Sequence, residues 1–265
     1  MESLGPNHMS EPAGRRPTFI IGGAPRCGTT LLCHLLAQHP DVFIMKPYIP
    51  EPKVFVTPTG GGTREYLRRY AEGLAAAGGE RALGEKTSYY LENERVPERI
   101  ASTLESVRLL FIVREPVQRA YSNYLWSKRN GLETLSFREA IRLEGARQNP
   151  LGAEREYARP FDYLRRGRYG MFAERYYERF GRNLVKFVRY EDLENRPTDL
   201  MQEVQDFIGV VPVEMHAQSL GRINAARDTG DPLDEQFGSE LRQRLADEVR
   251  RFAAITGLDV SPWGY

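Results

Sequence analysis

The run Thr18-Phe19-Ile20-Ile21-Gly22-Gly23-Ala24-Pro25-Arg26-Cys27-Gly28-Thr29-Thr30-Leu31-Leu32 constrains this chain more than any other stretch. It spells a buried strand, a glycine-rich turn and the start of a helix. Backbone N–H groups at a helix N-terminus converge on one point, where the helix dipole favours negative charge. Glycine lets the backbone approach an anion closely, and successive N–H groups can form a concave nest. The stretch therefore predicts a phosphate cradle, with Thr29 as the N-cap and the Thr29 and Thr30 hydroxyls facing the phosphate.

Apolar strands at 42–45, 82–87, 107–113 and 184–188 alternate with helical patterns near 63–77, 93–104, 136–147, 160–180, 197–208 and 239–256. A further helix opens at Pro116, where the missing N–H costs nothing. This alternation predicts an α/β fold in three layers, a central parallel β-sheet flanked by helices. Ligands of such sheets bind at the carboxyl ends of the strands, which singles out Gly23–Thr30, Glu51, Lys86, Arg114 and Tyr190. Pro47, Pro50 and Pro52 exclude regular structure around Glu51 and Lys53, so both belong to a stiff loop.

The 265 residues, 41% of them hydrophobic, suffice for one sizeable core. A single domain is expected over 17–265. Residues 1–16 are expected to be disordered, with Gly5–Met9 resembling the remnant of an expression tag and the native chain starting at Met9. A net charge of +1 gives no global sign of a nucleic-acid partner. Cys27 and Cys33 are too close in sequence to form a disulfide framework, which points to a reducing, cytoplasmic setting. No apolar run reaches the ~20 residues of a membrane span.

The nucleoside triphosphate P-loop requires Gly, four residues, Gly, Lys and then Ser or Thr. Gly23 and Gly28 have that spacing, but Thr29 holds the lysine position. Strand 107–113 ends at Arg114, where a magnesium-binding aspartate would be expected. Both departures weigh against a small-molecule kinase and favour a phosphate site that needs no metal, with Arg26 supplying positive charge. A catalytically silent nucleotide-binding protein is the other alternative.

Four ordered stretches resemble the sulfotransferases that use 3′-phosphoadenosine 5′-phosphosulfate (PAPS). Ala24–Leu31 is similar to the family's 5′-phosphosulfate loop, with Arg26 where lysine is usual. Glu51-Pro52-Lys53-Val54-Phe55 resembles the catalytic-glutamate loop of the carbohydrate-type branch, and Glu85–Tyr90 a Glu-Lys-Thr-Pro-x-Tyr segment of the same branch. Arg114-Glu115-Pro116 with Arg119–Ser122 resembles the 3′-phosphate site, and Arg189–Leu193 also fits.

The resemblance implies a P-loop-like fold and sulfuryl transfer from PAPS to a hydroxyl of a small molecule such as a sugar, glycosylated metabolite or alcohol. No metal, nucleic acid or membrane is implied. Arg26, Cys27, Gly28, Thr29 and Thr30 would hold the 5′ end of the nucleotide, Arg114 and Ser122 the 3′-phosphate, and Arg222 would approach it from a C-terminal loop. Glu51 would be the general base, its pKa raised by burial. Arg26 and Lys86 would stabilise the transferring group, although arginine, unlike lysine, cannot donate a proton. Lys53 and Glu85 would contact the acceptor. Tyr163, Arg165, Arg166, Arg168, Tyr169, Tyr176 and Tyr177 are further candidates to line the acceptor cleft.

Overall fold

The computed structural model describes residues 14–215 and 233–265. In chain order these form β1 (Phe19–Gly23), α1 (Thr29–Leu36), β2 (Val42–Ile44), α2 (Gly62–Gly73), β3 (Ala82–Lys86), α3 (Val96–Thr103), β4 (Arg108–Val113), α4 (Pro116–Arg129), α5 (Phe137–Arg142), α6 (Tyr169–Phe180), β5 (Val185–Arg189), α7 (Tyr190–Asn195), α8 (Pro197–Ile208) and α9 (Glu235–Thr256). The strands make one sheet in the order β2-β3-β1-β4-β5, every pairing parallel.

All five predicted strands are present. β1 is central because it is apolar on both faces, with Phe19, Ile20 and Ile21 fully buried. β1 pairs with β3 through Ile21 and Lys86, and with β4 through Gly23 and Phe111. This register brings the ends of β1, β3 and β4 to one edge. Phe111 lies 4.5 Å from the Tyr176 ring and 5.0 Å from Phe187. Burying a side chain of that size contributes roughly 1.5–3 kcal/mol.

Helix boundaries differ from the sequence pattern where local chemistry intervenes. Gly28, not Thr29, is the N-cap of α1; Thr29 is its first residue. α5 starts where expected, through a capping box between Ser136 and Glu139, but stops at Arg142. The stretch 160–180 is not one helix: a 3₁₀ turn at Arg165–Gly167 precedes α6. α9 begins early, at Glu235, because Asp234 Oδ1 accepts from the Phe237 N–H at 2.7 Å. Arg15, outside the expected domain boundary, donates to the Ala77 and Gly78 carbonyls. Arg222 and Arg227 lie outside the described residues.

One buried ion pair fixes the walls above the sheet. Arg166, 3% exposed, and Glu92, 5% exposed, form a two-point bridge of 2.8 and 2.7 Å. A third guanidinium nitrogen donates to the Ala158 carbonyl at 2.9 Å. Removing one member strands a buried charge, so Arg166→Met should lower unfolding free energy by about 3–5 kcal/mol. Urea unfolding measures this, and a loss below about 1 kcal/mol would show the bridge to be dispensable.

Candidate active site

The turn after β1 depends on two glycines. Gly28 has φ 84°, and a Cβ there would come within 2.7 Å of the Tyr190 ring. Gly23 has φ 152°, and its Cβ would meet the Ser88 carbonyl oxygen at 2.9 Å. Gly28 offers no capping side chain, so the first amides of α1 keep free hydrogen-bonding capacity for an anion. Arg26 (φ 70°) and Lys53 (φ 52°) also adopt left-handed backbone, a conformation costing non-glycine residues about 1–3 kcal/mol and concentrated at functional sites.

Within the loop, the Cys27 N–H donates to the Ala24 carbonyl at 3.3 Å. The Cys27 side chain points inward, 3.7 Å from the Tyr169 hydroxyl. Burial pushes this thiol up to about 11 and that of Cys33 up to about 12. Cys27 therefore shapes the cradle and presents no reactive group to it.

Positive charge converges on the loop. Burial, then the Arg129, Arg114 and Arg119 guanidiniums, lower the pKa of Arg26 to about 10. Arg26 Nε donates to Ser122 Oγ at 3.3 Å, which ties the loop to α4. Arg119 is fully buried; one nitrogen donates to the Tyr163 carbonyl, while Nε and Nη1 have no partner among the described residues. Arg114 stacks on Tyr190, its guanidinium carbon 4.7 Å from the ring centroid. Such guanidinium groups suit an anionic ligand.

A carboxylate faces the same strand ends. Glu51 Oε1 accepts from Lys86 Nζ at 2.7 Å and from Ser88 Oγ at 2.5 Å, and Oε2 from the Ser88 N–H at 3.1 Å. The Glu51 side chain is 12% exposed and Lys86 2%. Lys86 also reaches the Tyr48 carbonyl at 3.3 Å. Ser88 Oγ lies 2.9 Å from Thr29 Oγ1. A carboxylate only accepts, so Ser88 donates to Glu51 and Thr29 to Ser88. The Thr29 proton, expected at the phosphate, is committed to this relay.

The Glu51 loop is held from behind. Arg69 donates to the Val54 and Pro52 carbonyls, both at 2.9 Å, and Arg99 to those of Phe55 and Val56 at 2.6 and 2.9 Å. Lys53 Nζ donates to the Glu51 carbonyl at 3.2 Å and stands 5.5 Å from the Tyr157 ring. Burial lowers the Lys53 pKa; Glu51 opposes this, and Lys86 and Arg155 add to it.

Two expectations are corrected. Glu85 does not face the cleft: successive strand residues point to opposite faces, and Glu85 is fully buried under the hydroxyls of Tyr70, Tyr90 and Thr87 at 2.5, 2.6 and 2.7 Å. Burial raises its pKa, against the effect of those hydroxyls. Thr87 and Tyr90 in turn accept from the Lys53 and Phe55 amides, so Glu85 anchors the Glu51 loop. The tyrosines of 160–180 are likewise not all cleft-lining. Tyr163, Tyr169 and Tyr176 are buried and bond Glu133, the Arg114 carbonyl and the Tyr90 carbonyl. Sequence reasoning gave Ser88 and Arg119 no role of their own, although both lie in the stretches that resemble the family, and it missed Arg129, which carried no signal.

The sulfotransferase domain family matches residues 16–222. A crystal structure of a sulfotransferase from Alicyclobacillus acidocaldarius superposes with a TM-score of 0.75 at 28% identity, over 95% of this chain and all of that one. The heparan sulfate glucosamine 3-O-sulfotransferase 3A1 of Mus musculus is 29% identical over 95% of this chain and 65% of its own length. The bifunctional heparan sulfate N-deacetylase/N-sulfotransferase 4 of Mus musculus is 25% identical over 77% of this chain. The chain spans only 23% of that protein. Among the described residues, no helix is long and apolar enough to cross a membrane.

The buried thiols yield a direct check. At about pH 8, a thiol-reactive disulfide reagent should label neither cysteine of the folded protein within an hour, and both after denaturation. Prompt labelling of the native chain would contradict the burial described.

Proposed function

The chain belongs to the sulfotransferase domain family, and on that premise we propose that it moves a sulfuryl group from PAPS to a hydroxyl of a sugar, glycosylated metabolite or alcohol. The observation that carries this reading is the unbroken relay from Thr29 through Ser88 to Glu51 and Lys86. It joins an anion cradle to a carboxylate that can take a proton.

In this mechanism the acceptor oxygen attacks sulfur in line with the leaving phosphate oxygen. The new O–S bond forms as the bond from sulfur to the bridging oxygen breaks, leaving 3′,5′-adenosine bisphosphate. Glu51 takes the hydroxyl proton. Oε2 suits this role, because it carries one hydrogen bond where Oε1 carries two. Lys86 stabilises the transferring group, and Arg26 with the α1 amides balances charge growing on the leaving oxygen. Arginine holds that charge without giving up a proton. Arg114 receives the 3′-phosphate, while Ser122 orients Arg26. Lys53, beside Glu51 and Tyr157, is placed to meet the acceptor. The free, buried Cys27 and Cys33 support a reducing, cytoplasmic setting.

Glu51→Gln keeps the shape and removes the base. Turnover with labelled PAPS and a responsive acceptor should fall about 10²–10⁴-fold, while affinity for 3′,5′-adenosine bisphosphate stays within about twofold. Undiminished turnover would remove Glu51 from the chemistry. Arg114→Ala should instead weaken bisphosphate binding about tenfold or more, the range for a charge-assisted bond, and spare adenosine 5′-monophosphate. Calorimetric titration with the two nucleotides decides this, and equal losses would refute the assignment.

A further inference from the structure

Arg114 stands beside two carboxylates. Glu115 follows it in the chain, and Glu191 Oε1 accepts from the Glu115 N–H at 2.9 Å, on the peptide leaving Arg114. A guanidinium so placed ordinarily takes a carboxylate in a two-point bridge, and an arginine neutralised in that way is lost to phosphate. Neither bridge forms here. Glu115 is occupied by the first turn of α4, with Oε1 accepting from the Val117 N–H at 3.1 Å and Oε2 from the Gln118 N–H at 2.6 Å. The Tyr265 hydroxyl donates to the same Oε1 at 2.5 Å, and Arg242 of α9 stands 3.7 Å away. Glu191 Oε2 accepts from Trp263 Nε1 at 3.1 Å.

The two C-terminal aromatics are themselves rigidly seated. Trp263, 3% exposed, lies in a 3₁₀ turn after α9 and is stacked near-parallel to Phe252, with centroids 6.1 Å apart. It also lies 6.3 Å from Tyr169, whose hydroxyl donates to the Arg114 carbonyl. Tyr265 packs against the aromatic cluster shared by α4, α5 and α9. The segment after α9 therefore presents two donors to the carboxylates flanking one arginine.

We propose that Trp263 and Tyr265 are positioning residues for 3′-phosphate recognition. They hold Glu191 and Glu115 off Arg114, so that its guanidinium, braced on Tyr190, remains available to the nucleotide. The inference rests on the assignment of Arg114 to the 3′-phosphate. It predicts a selective loss: affinity for a nucleotide with a 3′-phosphate should fall, and affinity for one without it should not.

The test is calorimetric titration of the full chain with 3′,5′-adenosine bisphosphate and adenosine 5′-monophosphate. Trp263→Phe keeps the ring stack and deletes the donor. Bisphosphate affinity should drop about five- to tenfold, the scale of one charge-assisted contact, with monophosphate affinity within about twofold. Adding Glu191→Gln to Trp263→Phe removes the freed negative charge and should restore bisphosphate affinity to within about twofold. Equal losses for both nucleotides, no loss, or no rescue would each overturn the proposal. Should Trp263→Phe fail to fold, Tyr265→Phe deletes a single hydroxyl and should show the same selective loss, its absence again counting against the idea. Arg114→Ala separates the two levels. If it leaves the bisphosphate preference intact, the 3′-phosphate assignment fails. If it abolishes the preference while Trp263→Phe does not, only the positioning role falls.

Discussion

Burial of Arg26 beside the guanidiniums of Arg129, Arg114 and Arg119 is the constraint around which the loop after β1 is built. Desolvation and like charge lower the pKa of Arg26, and Arg119 is fully buried with two guanidinium nitrogens unpartnered among the described residues. Such crowding disfavours the folded state by itself and is relieved by an anion. The sheet enforces it. Pairing of Gly23 with Phe111 sets the ends of β1 and β4 side by side, so the loop carrying Arg26 and the turn carrying Arg114 cannot separate without breaking the central ladder.

The surroundings of Glu51 are organised by opposite charges. Lys86 and Glu51 are nearly dehydrated, and a buried pair is tolerable only when its remaining hydrogen-bonding capacity is met. Ser88 donates to both Glu51 oxygens and Tyr48 accepts from Lys86. Glu85 lies on the other face of the same strand and holds the hydroxyls that seat the Lys53 and Phe55 amides. Adjacent residues thus serve different layers: Lys86 meets the Glu51 carboxylate, and Glu85 secures the loop that carries it.

The strands were legible in the sequence because parallel, doubly buried strands are apolar throughout, as in Leu109–Val113. The turn after β1 was legible because Gly23 and Gly28 stand at positions whose backbone excludes a Cβ. Side-chain partners across elements were not legible. Nothing local distinguishes Glu85 from Lys86 until the pleat assigns each to a face. Nothing in Ser122 foretells that it meets Arg26, 96 positions away. Tyr169 and Tyr176 of α6 carry polar tips that suit a cleft, yet the core absorbs both because each hydroxyl finds a backbone carbonyl. Sequence spacing could place residues at strand ends; only the packed neighbours decide which way they turn.

The strand order carries a consequence for change over time. The segments that follow β1, β3 and β4 leave inner strands of the sheet, whereas the loop that carries Glu51 leaves β2, at one margin. Insertions after a marginal strand disturb few ladder contacts, while those after an inner strand disturb neighbours on both sides. The loop that carries Glu51 is therefore where chain length can change with the least disturbance of the sheet, while the turns after β1, β3 and β4 are held on both sides.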